Sequence, residues 1–188
     1  MMTILCVEIG GSVMGKINYK DIKQFTGYGY YKINVEWYGI KDQIEYYMFN
    51  GLDIDPDFQR GHVWSVDQQV EFVEHVLMGG PGGRDLFFNC PGFSNGDRDD
   101  FVLVDGKQRI TAMIDFLYGK IAAFGHMICD FEGRKDFSRY WFNIHINELP
   151  TKADVLRWYI EMNSGGVVHS KEEIERVQKM LEEEKKRT

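Results

Sequence analysis

Along the chain, the apolar positions fall into short periodic runs separated by glycine, proline and asparagine. Ile33, Val35 and Trp37 alternate with Asn34 and Glu36, the period of a half-buried strand. Just beyond, Ile44, Tyr47 and Met48 are spaced to share a helical face. Ser65-Val66-Asp67-Gln68 has the form of a capping box, and Val66, Val70, Val73 and Leu77 continue it as the buried stripe of a helix. Gly79-Gly80-Pro81-Gly82-Gly83 ends that helix. Leu86–Asn89 and Phe101–Val104, joined by the turn-rich Ser94-Asn95-Gly96-Asp97, predict an antiparallel pair of strands. Ile110, Met113, Ile114 and Leu117 then fall at i, i+3, i+4 and i+7, which predicts a helix over 107–118 packed across the sheet. Strand 101–104 is expected to be central, with Lys107 and Arg109 reachable by solvent.

The second half follows the same logic. Ile121–Phe124 and Phe142–Ile146 have strand character, the latter with Phe142, Ile144 and Ile146 alternating against Asn143, His145 and Asn147. Glu132-Gly133-Arg134-Lys135 between them is expected to turn. Thr151 is placed to cap a helix with Val155, Leu156, Tyr159 and Met162 inside, stopped at Asn163-Ser164-Gly165-Gly166 because glycine readily takes the left-handed cap. Ser170-Lys171-Glu172-Glu173 is a second capping box. It opens a final helix with a thin stripe of Ile174, Val177 and Leu181 and a charged, solvated end from Glu182 to Arg187. In the first thirty residues only Ile4–Val7 suggests a strand and only Gly10-Gly11 and Gly27-Tyr28-Gly29 suggest turns, so no function is assigned there. The pattern as a whole predicts a mixed α/β fold, a small mixed sheet flanked by helices. It divides into an N-terminal extension (1–32), one domain (33–174) and a charged C-terminal helix (175–188).

Composition narrows the function. A hydrophobic content of 44% over 188 residues suffices for one core. The net charge of −7 argues against coating nucleic acid by bulk charge, so any such contact must be local. Cys6, Cys90 and Cys129 are too far apart for a CxxC pair and are expected to be reduced thiols. His62, His75, His126, His145 and His169 are equally scattered, so no structural zinc is expected. Neither a signal peptide nor a membrane-spanning run is visible, and a cytoplasmic protein is expected. The Walker A pattern and the G-x-S-x-G elbow are both missing.

The chemistry concentrates in Asp105-Gly106-Lys107-Gln108-Arg109, where a strand turns directly into a helix. The first N–H groups of a helix have no intrahelical partner and carry the positive end of its dipole, so such a corner favours anions, phosphate above all. A capping Asp with a solvated Lys and Arg accounts for the same five residues. Leu52-Asp53-Ile54-Asp55-Pro56-Asp57-Phe58-Gln59-Arg60 is expected to be an extended loop, because Pro56 removes a donor and holds Asp55 extended.

Three motifs stand in order: Asp57-Phe58-Gln59-Arg60 with Trp64 four residues on, Asp105-Gly106-Lys107-Gln108-Arg109, and Asn163-Ser164-Gly165-Gly166. Together they resemble the N-terminal domain of GmrSD-type restriction endonucleases, of the ParB/sulfiredoxin-like fold group, over roughly Ile33 to Ile174. The resemblance implies nucleotide binding, in several members with NTP hydrolysis, coupled to cleavage of foreign, often modified, DNA. A separate HNH-type nuclease domain usually cuts in longer members. Here the chain stops one helix after the third motif, leaving no room for that domain, so a complete restriction enzyme is not expected. Lys107 also stands where the family more often has Gln.

What the resemblance implies for the residues is as follows. Arg109 holds phosphate with its planar fork and Lys107 adds a mobile charge, with Gly106 at the turn; otherwise Arg109 pairs with Asp105 or Asp57. Asp105 holds Mg²⁺ or orients a water, and Gln108 positions that water; otherwise Asp105 caps the helix. Arg60 is a second phosphate contact or pairs with an acid. Asn163, Gly165 and Gly166 offer backbone donors to an anion or form a plain helix cap. Trp64 reads as packing rather than base stacking. The leading expectation is an Mg²⁺-dependent nucleotide-binding domain, an enzyme or enzyme fragment, with NTP hydrolysis a weaker expectation than binding. Its rival is a non-catalytic regulator or decoy of a separate nuclease subunit, and a direct DNA nickase comes third.

Overall fold

The computed structural model describes residues 30–59, 64–132, 140–164 and 171–187. Strand β1 (Tyr31–Glu36) passes without a loop into helix α1 (Trp37–Phe49). Trp37 therefore opens the helix instead of closing the strand, and its fully buried indole sets the phase: Trp37, Ile40, Ile44 and Tyr47 are buried. Met48 lies one step off that stripe and is exposed, contrary to the expected face.

Helix α2 (Val66–Leu77) carries the reciprocal capping box: Ser65 accepts from the Gln68 backbone N–H, and the Gln68 side chain accepts from the Ser65 N–H. Its buried positions are Gln69, Val73 and Val76, while Val66, expected inside, is exposed because the first turn projects beyond the core. Strands β2 (Asp85–Asn89) and β3 (Val102–Asp105) pair antiparallel as expected, with a bulge between Phe87 and Phe88. Helix α3 (Lys107–Leu117) buries Ile110 and Met113, with Ala112 and Phe116; Ile114 and Leu117, expected inside, are only half-buried.

Residues 121–124 are not a strand. Ala123 and His126 exchange both backbone hydrogen bonds across Phe124 and Gly125, which have φ of 53° and 76°, so the segment is a single tight bridge. The turn expected at Glu132–Lys135 lies largely outside the described residues. Strand β4 (Trp141–Asn147) and helices α4 (Lys152–Ser164) and α5 (Lys171–Arg187) complete the chain. Thr151 accepts from the Asp154 N–H at 3.1 Å, the expected cap. Helix α5 runs unbroken from Lys171, with Val177 and Leu181 buried against α4 and Ile174 half-buried.

The sheet order is β1-β4-β2-β3, antiparallel except for the parallel β2–β4 pair. Strand 101–104 is thus at the edge, not central. Its free side is taken by the loop before α2: the Asp53 N–H donates to Phe101 O and the Leu103 N–H to Asp53 O, which covers an otherwise unpaired edge. One face of the sheet (Leu86, Phe88, Leu103, Phe142, Ile144, Ile146) packs under α1, α2 and α3. The other (Phe87, Val102, Val104) packs against α4 and α5 through Leu156, Trp158, Tyr159 and Val177. Helices on both faces explain why β4, read as polar on one side, has His145 and Asn147 buried as well. Cys90 is buried, which pushes its thiol up to about 11 and keeps it protonated; Cys129 is exposed, and neither forms a disulfide.

Candidate functional site: the β3–α3 corner

The backbone reverses at Gly106, which sits at the cap position of α3 with φ of 120°. A Cβ there would lie 2.6 Å from Leu86 Cδ2, so both the torsion and the space demand glycine. Lacking a side chain, it supplies no cap hydrogen bond to the start of α3. Asp105 does not cap either. Its carboxylate accepts from Arg109 Nη2 at 2.5 Å, one helical turn on. Lys107 pairs with Asp55 of the preceding loop.

These contacts cover the cations more than expected. The side chains of Lys107 and Arg109 are 11% and 19% exposed, whereas their partners Asp55 and Asp105 are 67% and 35% exposed. Each cation is held inward and each carboxylate outward, where solvent or a ligand can reach it.

The first two motifs do come together. Gln59 Nε2 donates to Leu103 O at 2.5 Å, and the Trp64 N–H donates to Gln108 Oε1 at 3.1 Å. Trp64 packs on Phe72 at 5.4 Å between ring centres, the packing role expected of it. Arg60 lies outside the described residues, as do Gly165 and Gly166. Asn163 donates to Tyr159 O at 2.7 Å within its own helix, so its amide serves α4.

Two contributors escaped the sequence reading. Asp55 was seen only as part of an extended loop, yet it anchors Lys107. Gly83, whose run was read as a helix stop, would place a Cβ 3.7 Å from Arg109 Cδ and 2.8 Å from the Phe72 ring. The α2–β2 connection therefore lies against the Arg109 stem, and five residues with four glycines was the available signal. A separate cleft of about 380 Å³, with Asp53, Asp57, Phe58, Val102, Leu149 and Lys152 in its lining, lies at the opposite end of β3 and does not include the corner.

The architecture is that of a mixed α/β domain with a cation-bearing glycine corner at the start of a helix. The family model for the GmrSD restriction endonuclease, N-terminal domain, matches residues 43–149. The chain belongs to that family, which ties it to DNA restriction systems. The match holds the first two motifs and ends before Asn163. Comparison with curated proteins and with solved structures found no match. Among the described residues no helix is long and apolar enough to cross a membrane.

Proposed function

We propose that the chain binds a nucleoside triphosphate at the β3–α3 corner, as a ParB/sulfiredoxin-like nucleotide module of a cytoplasmic, modification-dependent restriction system acting with DNA or a separate nuclease subunit. The observation that carries this reading is the pair of inward-held cations, Lys107 and Arg109, beside a helix start whose cap position, Gly106, has no side chain to offer the first N–H groups. Phosphate oxygens are the ligand for such a set of donors.

Mg²⁺ accompanying the phosphates fits the carboxylates present. Among the described residues no group of three His, Cys, Asp or Glu side chains forms a metal site. Mg²⁺ bound with phosphates needs only one or two protein carboxylates, and Asp105 and Asp55 are those on the corner. It would supply charge neutralisation of the phosphates.

One observation favours binding over turnover. Gln108 Oε1 is engaged by the Trp64 N–H and Asp105 by Arg109, so the residues assigned to water activation already serve the loop and the corner. This supports the non-catalytic regulator as the second reading.

The test is calorimetric titration of the protein with each NTP, with and without Mg²⁺. Binding is expected, and Arg109→Ala is expected to weaken it by ~1.5–3 kcal/mol, roughly ten- to a hundredfold. Absence of binding by every NTP at millimolar concentration overturns the proposal.

A further inference from the structure

On the sheet face that carries Phe87, Tyr30, His145 and Asp85 form a connected line. His145 is buried, and its Nε2 lies 2.6 Å from Asp85 Oδ1. Its Nδ1 meets the Tyr30 hydroxyl, and the two rings lie 5.5 Å apart. Phe87 stacks on the imidazole at 4.6 Å, and Asn143 Nδ2 donates to Asp85 at 3.1 Å, so ring and carboxylate are both fixed.

The proton directions follow from what each group can do. Burial lowers the His145 pKa below its ordinary 6.5; Asp85 is half-exposed, so water screens its opposing pull. A neutral imidazole has one donor and one acceptor nitrogen. A carboxylate only accepts, so Nε2–H donates to Asp85 and Nδ1 accepts from the Tyr30 hydroxyl. This is the carboxylate–imidazole–hydroxyl order that activates a nucleophile. The Tyr30 residue is 45% exposed, which suits attack on an external substrate.

Placement says which substrate. Cross-strand partners put Lys32, His145, Phe87 and Asp105 in one row, one residue from each strand. His145 and Asp105 are thus two strand spacings apart, about 10 Å. The Asp105–Arg109 corner lies at one end of the row and the exposed Lys32 beside the relay at the other.

We propose that Tyr30 accepts the terminal phosphoryl group of a nucleoside triphosphate, with His145 as general base and Asp85 as the residue that positions His145. The proposal rests on the nucleotide reading of the corner. Tyr30 Oη attacks the γ-phosphorus, its proton passes to His145 Nδ1, and the new O–P bond forms. The bond from that phosphorus to the bridging oxygen breaks, and its electron pair leaves with the nucleoside diphosphate. The product is phosphotyrosine at position 30.

Two measurements on the full chain test it. The first needs no nucleotide: an aryl sulfonyl fluoride is applied and labelled tyrosines are located by peptide mass spectrometry. Tyr31 is the internal standard, since it is also exposed and, among the described residues, has the Phe93 ring for a partner and no base. Tyr30 is expected to label about a hundredfold faster than Tyr31, the scale of general-base assistance. His145→Gln and Asp85→Ala should each remove most of the advantage, and Asp85→Glu should restore part of it. Asp85 is half-exposed, so its variants keep the test open if the His145 variant fails to fold. Equal labelling of Tyr30 and Tyr31, or labelling indifferent to both partners, overturns the proposal.

The second measurement supplies Mg²⁺ and γ-phosphate-labelled NTP. Phosphotyrosine is expected at Tyr30, absent in Tyr30→Phe. Nucleotide bound by titration without phosphotyrosine overturns this inference and leaves the nucleotide reading intact. No nucleotide bound overturns both, even where Tyr30 labels fast with the sulfonyl fluoride.

Discussion

Gly106 and Asp105 test different properties of the corner. Gly106→Ala places a methyl group against Leu86 and strains a backbone torsion of 120°. It should cost about 1–3 kcal/mol of stability, read as a lower denaturation midpoint. Asp105→Asn tests chemistry. If Asp105 stabilises charge during turnover, Asn should retain the fold and much of the nucleotide affinity while strongly slowing phosphate release. Equal release rates from equally folded samples remove Asp105 from the catalytic list. No release by the original protein, with or without DNA, favours the regulator reading. The candidacy of Lys107 and Arg109 was legible in their order after a strand, but their partners were not. Asp55 is 52 positions from Lys107, and nothing local in the chain links the two.

Helix α2 shows how far local signals carry. Ser65 and Gln68 form the reciprocal cap that their spacing announced, so Ser65→Ala should destabilise by about 1 kcal/mol, measured by chemical denaturation. The cap was readable because its partners are three residues apart. Phase was harder. The stripe of α1 is set by Trp37, which the alternation of Ile33 and Val35 had drawn into the strand, and Met48 consequently faces out. At 121–124, apolar composition suggested a strand, but Phe124 and Gly125 both take positive φ and reverse the chain. Composition over four residues does not distinguish a strand from one bridge of a tight turn.

At the scale of the molecule, the loop before α2 ties the corner to the C-terminal helices. Arg176 of α5 donates to the Asp57 and Phe58 carbonyls at 2.8 and 2.7 Å, and Lys152 pairs with Asp57 at 2.6 Å. Phe58 packs on Tyr159 beneath them. Arg176→Ala touches neither Lys107 nor Arg109, yet should loosen the loop bearing Asp55. The expected result is a loss of about 1 kcal/mol in stability and nucleotide binding weakened by up to about tenfold, read by denaturation and titration. Unchanged affinity in a folded variant shows that the loop anchor does not reach the corner.

Residue order alone determined the mixed α/β class, the β2–β3 pairing, the caps of α2 and α4, and the two motifs now joined at the corner. Each depends on periodicity or on partners a few positions apart, which the chain displays directly. Packing decided the rest: the edge place of β3, the burial of His145 and Asn147 on the second face of β4, and the joining of Asp55 to Lys107 and of Tyr30 to Asp85 through His145. These depend on strand order and on which helices cover which face. Many strand orders satisfy one hydrophobic pattern, and the choice among them is made by burying all the stripes at once.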